Sequence, residues 1–135
     1  MIISTVARRL AAASLTAAAL AAPVLMSPPA HAESRGAILF LTVSGSDNTW
    51  IRGIGLQCPA SSQSIYPKAA QACAALDKAE GDFNRLPGNP QLCPMIYDPV
   101  TVTAHGTYNG HRVNWQRTYP SACAMEAAAG PVFGF

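Results

Sequence analysis

The sequence predicts an α+β domain in which five antiparallel strands pack against one or two helices. Three observations carry that expectation. Short runs rich in β-branched and aromatic residues recur between turn signals. One alanine-rich stretch has helical spacing. All four cysteines lie behind an export signal, where an even count in a small chain implies two disulfides.

The chain opens with a basic start, Arg8-Arg9, runs through an Ala/Leu-rich stretch from Leu10 to Met26, and reaches Ala30-His31-Ala32. That order is a secretory signal ending in an A-x-A cleavage site. A membrane anchor is the alternative, but the run is marginal in length and carries Pro23. Residues 1–32 are expected to be removed and residues 33–135 to form the secreted domain. Taking 32 residues from 135 leaves 103, enough for one modest core. Arg8 and Arg9 leave with the signal, so nine basic residues fall to seven and balance seven acidic ones. With no net charge and no basic patch, nucleic acid is not an expected partner. No membrane attachment is expected after cleavage.

Ala37–Val43 reads as a buried strand bounded by Gly36 and by Ser44-Gly45-Ser46-Asp47-Asn48. Thr49–Cys58 is its natural hairpin partner, with Trp50, Ile54 and Leu56 on one face. Pro67–Glu80 is a helix, because proline suits the first turn, alanine and leucine favour the interior, and Gly81 ends it. Ala69, Cys73, Leu76 and Glu80 share helical spacing, which turns Cys73 inward beside Leu76 and toward Cys58. Phe83 is an apolar anchor, and Asn84–Pro90 is a loop. Val100–Ala104 and Arg112–Tyr119 pair across an Asn109-Gly110 turn, a strong hairpin signal. Ser121–Ala128 is a short helical piece carrying Cys123 and Met125. Pro131–Phe135 supplies the fifth strand. The cysteines allow several pairings; the sequential one, Cys58 with Cys73 and Cys93 with Cys123, is simplest.

Catalytic equipment is hard to find. His105 and His111 flank the second turn with no carboxylate near in sequence, so solvated turn histidines are a better reading than metal ligands or a hydrolase's base. No nucleophile elbow occurs, no C-x-x-C pair favours zinc, and no glycine pattern cradles phosphate. No enzyme activity, catalytic residue, metal or cofactor is expected. A small exported domain of this kind works by presenting a surface.

The most distinctive surface candidate is Leu92-Cys93-Pro94-Met95-Ile96-Tyr97-Asp98-Pro99. Pro94 fixes its own φ at about −65° and biases Cys93 toward extended backbone. A disulfide at Cys93 holds the chain just before Met95 and Ile96. A rigid, extended segment displaying apolar side chains is what a protease accepts as substrate, and rigidity makes it bind well and cleave badly. Alternatively, Met95, Ile96 and Tyr97 simply open a buried strand, with Cys93 a structural staple.

Cys93 to Val100, Asn109-Gly110-His111-Arg112-Val113, Cys123-Ala124-Met125-Glu126 and Val132-Phe133-Gly134-Phe135 closely resemble the Streptomyces subtilisin inhibitor family of secreted serine-protease inhibitors. Ala37–Val43, Cys58-Pro59, Ala72-Cys73-Ala74 and Gly81-Asp82-Phe83 fall in the same order. The resemblance implies a five-stranded antiparallel sheet with two helices, sequential disulfides, and a homodimer packed sheet on sheet. It implies a reactive bond between Met95 (P1) and Ile96 (P1′), with Leu92, Cys93, Pro94 and Tyr97 contacting the protease. An unbranched, apolar P1 suits subtilisin-type and chymotrypsin-type pockets. The family's polar Asn two residues before the last cysteine is Ser121 here, expected to support the loop with a shorter side chain. An exported, non-catalytic binding module for an envelope component or another protein is the alternative function.

Overall fold

A computed structural model describes residues 35–135 together with Pro23, Val24, Met26 and Ser27. The secretory signal expected over residues 1–32 and its cleavage site lie outside the described residues, those four positions apart. The apolar, β-forming run Ala37–Ser44 folds as strand β1, whose successive side chains point to opposite faces, burying Ala37, Leu39, Leu41 and Val43 and exposing Ile38 and Phe40. Strand β2 is Ile51–Cys58, helix α1 Ala69–Lys78, β3 Val100–Tyr108, β4 His111–Tyr119 and α2 Ala122–Phe133. The sheet has the order β2-β1-β3-β4 with every neighbouring pair antiparallel. Both helices pack on one face of it, α1 against β2 and α2, and α2 against β1, β3 and β4. Between them lie Leu41, Leu56, Leu76, Val102 and Phe133, all fully buried.

Local chemistry explains the turns. Asn109 and Gly110 both take positive φ, 47° and 80°, as a tight hairpin with the strands' right-handed twist requires. Asn109 also ties the turn to the start of β1: its N–H donates to Gly36 O at 2.6 Å, and its Oδ1 accepts from Gly36 N–H at 2.8 Å. Helix α1 ends as expected near Gly81, and two consecutive left-handed residues turn the chain there, Glu80 at φ 54° and Gly81 at φ 77°. Gly81 N–H then donates to Leu76 O and Glu80 N–H to Asp77 O, satisfying last-turn carbonyls. Phe83 is buried, its ring stacked on Trp115 at 5.2 Å and tilted against Phe133 at 6.1 Å.

The disulfides are Cys58–Cys73, joining β2 to α1, and Cys93–Cys123, joining the loop before β3 to α2. The sequential pairing therefore holds. The fifth strand does not: among the described residues the sheet has four strands, and Pro131, Val132 and Phe133 continue helix α2. Proline inside a helix costs the bond to the carbonyl four residues back. Here Ala127 O is that carbonyl, and it accepts instead from Asn89 N–H at 3.1 Å. At the same end Tyr66 O–H donates to Pro131 O at 2.6 Å and to Val132 O at 3.0 Å. Val132 and Phe133, which suit a strand or a helix by composition, are fully buried on the helix.

Candidate functional site

The chain from Leu86 to Pro99 has no regular secondary structure, yet it is held at successive points along α2. Asn89 N–H donates to Ala127 O at 3.1 Å and to Glu126 O at 3.2 Å. Cys93 is bonded to Cys123, with the two Cα atoms 5.7 Å apart. Asp98 N–H donates to Pro120 O at 3.0 Å. The loop thus runs antiparallel to the helix, and its partners descend from Ala127 through Cys123 to Pro120.

Between the last two tethers lie Cys93-Pro94-Met95 and Ile96-Tyr97-Asp98, so the Met95–Ile96 peptide bond sits at their midpoint. Ile96 N–H donates to Pro94 O at 2.8 Å, closing a three-residue turn with Met95 at its apex. The turn drives the side chain into solvent: Met95 is 104% exposed, Leu92 101%, Tyr97 80% and Ile96 63%. Four large apolar side chains within six residues are thus left exposed, none taken into the core. Burying one such side chain is worth about 1.5–3 kcal/mol, a gain left unrealised in the free chain. The strand-entry alternative for Met95, Ile96 and Tyr97 fails here, since β3 begins only at Val100.

Helix α2 is the rigid side of this arrangement. Ser121 has extended backbone, φ −162° and ψ 164°, and its Oγ accepts from Ala124 N–H at 3.1 Å, which caps the helix. Ser121 therefore reaches the loop through the helix that bears Cys123 and follows Pro120, and its hydroxyl is engaged on the helix side. Met125, Ala129, Val132 and Phe133 bury the other face of α2 in the core. Just before the cap, burial pushes the Tyr119 hydroxyl up from its ordinary value, partly offset by Arg117, whose guanidinium lies 5.2 Å from the ring centre.

Leu92, Cys93, Pro94, Met95, Ile96 and Tyr97 thus share one tethered loop, while Cys58 and Cys73 staple a different part of the fold. His105 and His111 sit on strands, not on loop ends. His105 belongs to the outer face opposite Asn114, and His111 pairs with Tyr108 on the inner one, so the two point to opposite sides. Asn89, Asp98, Pro120 and Pro131 were not singled out from sequence. The one signal among them was the Gly130-Pro131 pair directly after the alanine run Ala127-Ala128-Ala129.

Residues 35–121 match the family model described as subtilisin inhibitor-like. Over 130 residues the chain is 36% identical to the subtilisin inhibitor of Streptomyces albogriseolus, covering 92% of this chain and 88% of that one. It is 37% identical over 102 residues to subtilisin inhibitor-like protein 5 of Streptomyces fradiae, covering 72% of this chain and 95% of the relative. Among solved structures it matches a chain in the complex of Streptomyces caespitosus sermetstatin with Bacillus licheniformis subtilisin. That match has a TM-score of 0.57 at 36% identity and covers 74% of this chain and 98% of the other.

Proposed function

The chain belongs to the subtilisin inhibitor-like family, and from that premise we propose that it inhibits subtilisin-type serine proteases through the Met95–Ile96 bond. The observation that carries this reading is Met95 itself, fully exposed at the apex of a turn between two tethers. Met95 enters the primary pocket as P1, and Ile96 follows as P1′. Leu92, Cys93, Pro94 and Tyr97 supply the flanking contacts. A loop already held in shape binds with little ordering cost. Affinities in the nanomolar range or tighter, about −12 kcal/mol, are ordinary for such complexes.

The chemistry belongs to the protease. When its serine attacks the Met95 carbonyl, the C–N bond to Ile96 breaks and the freed amine takes the proton. That amine stays beside the acyl carbon because the Cys93–Cys123 bond holds one fragment and the Asp98–Pro120 hydrogen bond the other. It re-forms the peptide bond faster than it departs. The inhibitor needs no catalytic residue, metal or cofactor of its own.

The finer reading is of a secreted protein, released by cleavage after Ala32, that pairs as a homodimer. Support for pairing comes from the sheet face turned away from the helices. It exposes Ile38, Phe40 and Ile51, with Thr42, Gly53 and Gly55 on the same face. Phe40 stands on the inner strand β1, between Gly55 and His105. Phe40→Asp is expected to yield monomers in sedimentation equilibrium with inhibition retained. A wild-type chain that sediments as a monomer would remove the sheet-on-sheet dimer.

Titration of active-site-counted subtilisin with the purified, oxidised protein tests the function. Residual activity is expected to fall linearly to near zero at about one chain per enzyme, as tight binding requires. A flat line would sink the proposal.

A further inference from the structure

Resting on the reading of residues 92–97 as the protease-binding loop, we infer that Pro131 is a positioning residue that clasps the loop's entry at Asn89. Proline carries no N–H, and its ring crowds the carbonyl four residues back. In α2 that carbonyl is Ala127 O, which is therefore released from the helix ladder. Asn89 N–H takes it at 3.1 Å and shares Glu126 O at 3.2 Å.

Two glycines make the approach possible. Gly88 has φ 62°, and a Cβ there would run into Ala127 O. Gly130 faces Asn89 so closely that its own Cβ would lie 3.0 Å from the Asn89 Cβ. Gly88-Asn89 on the loop and Gly130-Pro131 on the helix are complementary halves of one contact. Gly88 supplies the left-handed backbone that only the loop side needs, while a Gly-Pro pair inside a helix is an unusual choice alone.

The consequence lies at the reactive bond. After attack on Met95, the acyl fragment is the part of the chain upstream of Ile96. Were Cys93 its only hold, that fragment would pivot about the disulfide, a flexible link. A second hold at Asn89, four positions upstream, stops the pivot and keeps the Met95 carbonyl facing the Ile96 amine. The downstream fragment already has its two holds, at Asp98 and in β3.

Pro131→Ala tests this without endangering the fold. Alanine restores an N–H to compete for Ala127 O and is the better helix former. Two readouts are taken on the secreted protein: amide order parameters in the free chain, and the rate at which subtilisin hydrolyses Met95–Ile96. Order parameters at Gln91 and Leu92 are expected to fall from near the rigid value of about 0.85 toward the flexible value of about 0.6. Hydrolysis is expected to rise about two- to tenfold, the range for one lost hydrogen bond, with Tm no lower. Gly88→Ala, which opens the clasp from the loop side, should change both readouts in the same direction. Unchanged order parameters and hydrolysis in both variants would overturn the inference. So would faster hydrolysis accompanied by a lower Tm in both, which would assign the effect to general loosening. If wild-type protein fails to inhibit subtilisin while Pro131→Ala still loosens Gln91 and Leu92, the clasp stands and the inhibitor reading falls.

Discussion

Met95 and Glu80 show how differently single residues relate to the fold. Met95 touches none of the core, so changing it carries no packing cost. Met95→Lys is expected to leave unfolding free energy within about 0.5 kcal/mol of wild type. It should move inhibition from subtilisin toward trypsin, whose acidic pocket pairs with a lysine. Inhibition constants against both proteases check this, and an unchanged pair would remove Met95 from the primary pocket. Glu80 is the reverse case, a side chain with no role in binding in a left-handed backbone position, φ 54°. That conformation costs a non-glycine residue about 1–2 kcal/mol, part of which glycine returns to the unfolded chain as entropy. Glu80→Gly is expected to raise stability by about 0.5–1 kcal/mol in urea denaturation. The next residue is not interchangeable with it. A Cβ on Gly81 would run into the ring of Tyr108, whose hydroxyl donates to Asp77 at 2.9 Å.

Helix α2 is the element that turns a loop into a binding surface, and Ser121 starts it. Ser121→Ala removes the cap on Ala124 N–H and is expected to cost about 1 kcal/mol in urea denaturation. Because the first turn carries Cys123 and Pro120 precedes the cap, hydrolysis at Met95–Ile96 should rise as well. A stability loss with unchanged hydrolysis would confine Ser121 to capping. The elements legible in the sequence were those built from local rules: the bounded apolar run of β1, the Asn109-Gly110 turn joining β3 to β4, the alanine-rich α1. Leu92 to Tyr97 could also be read as a loop, because Cys93 and Pro94 constrain the backbone where they stand. The second half of α2 was not legible. By local rules Pro131 ends a helix and Val132–Phe135 resembles a strand. What keeps Pro131 helical is supplied from far along the chain, by Asn89 N–H on Ala127 O and by Tyr66 O–H on the last carbonyls. The same distance hid the Asp98–Pro120 tether. Sequence marked the residues displayed by the loop, and tertiary contacts decide what holds them.

At the scale of the whole molecule, three tyrosines at separate places, Tyr66 and Tyr119 buried and Tyr108 partly so, link stability to alkaline pH. Tyr66 is 1% exposed, and burial pushes its hydroxyl up to about 12 from 10.0. Tyr108 is also pushed up to about 12, by burial first and then by its hydrogen bond to Asp77. Burial raises Tyr119 as well. Unfolding exposes all three, and each then releases its proton at about pH 10. Above that pH the unfolded chain binds fewer protons than the native one, so stability must fall as pH rises. The stabilisation is fully present below pH 10 and is lost as pH climbs through about 12. Tm, followed by circular dichroism, is therefore expected to decline across that window. Tyr66→Phe separates one contribution from the rest. It keeps the ring but removes the donor to Pro131 O and Val132 O, leaving buried carbonyls unpaired at a cost of about 1–3 kcal/mol near neutral pH. With one fewer proton to lose, its decline above pH 10 should be shallower than the wild type's. Parallel declines in the two proteins would exclude Tyr66 from the alkaline transition and leave it to Tyr108 and Tyr119.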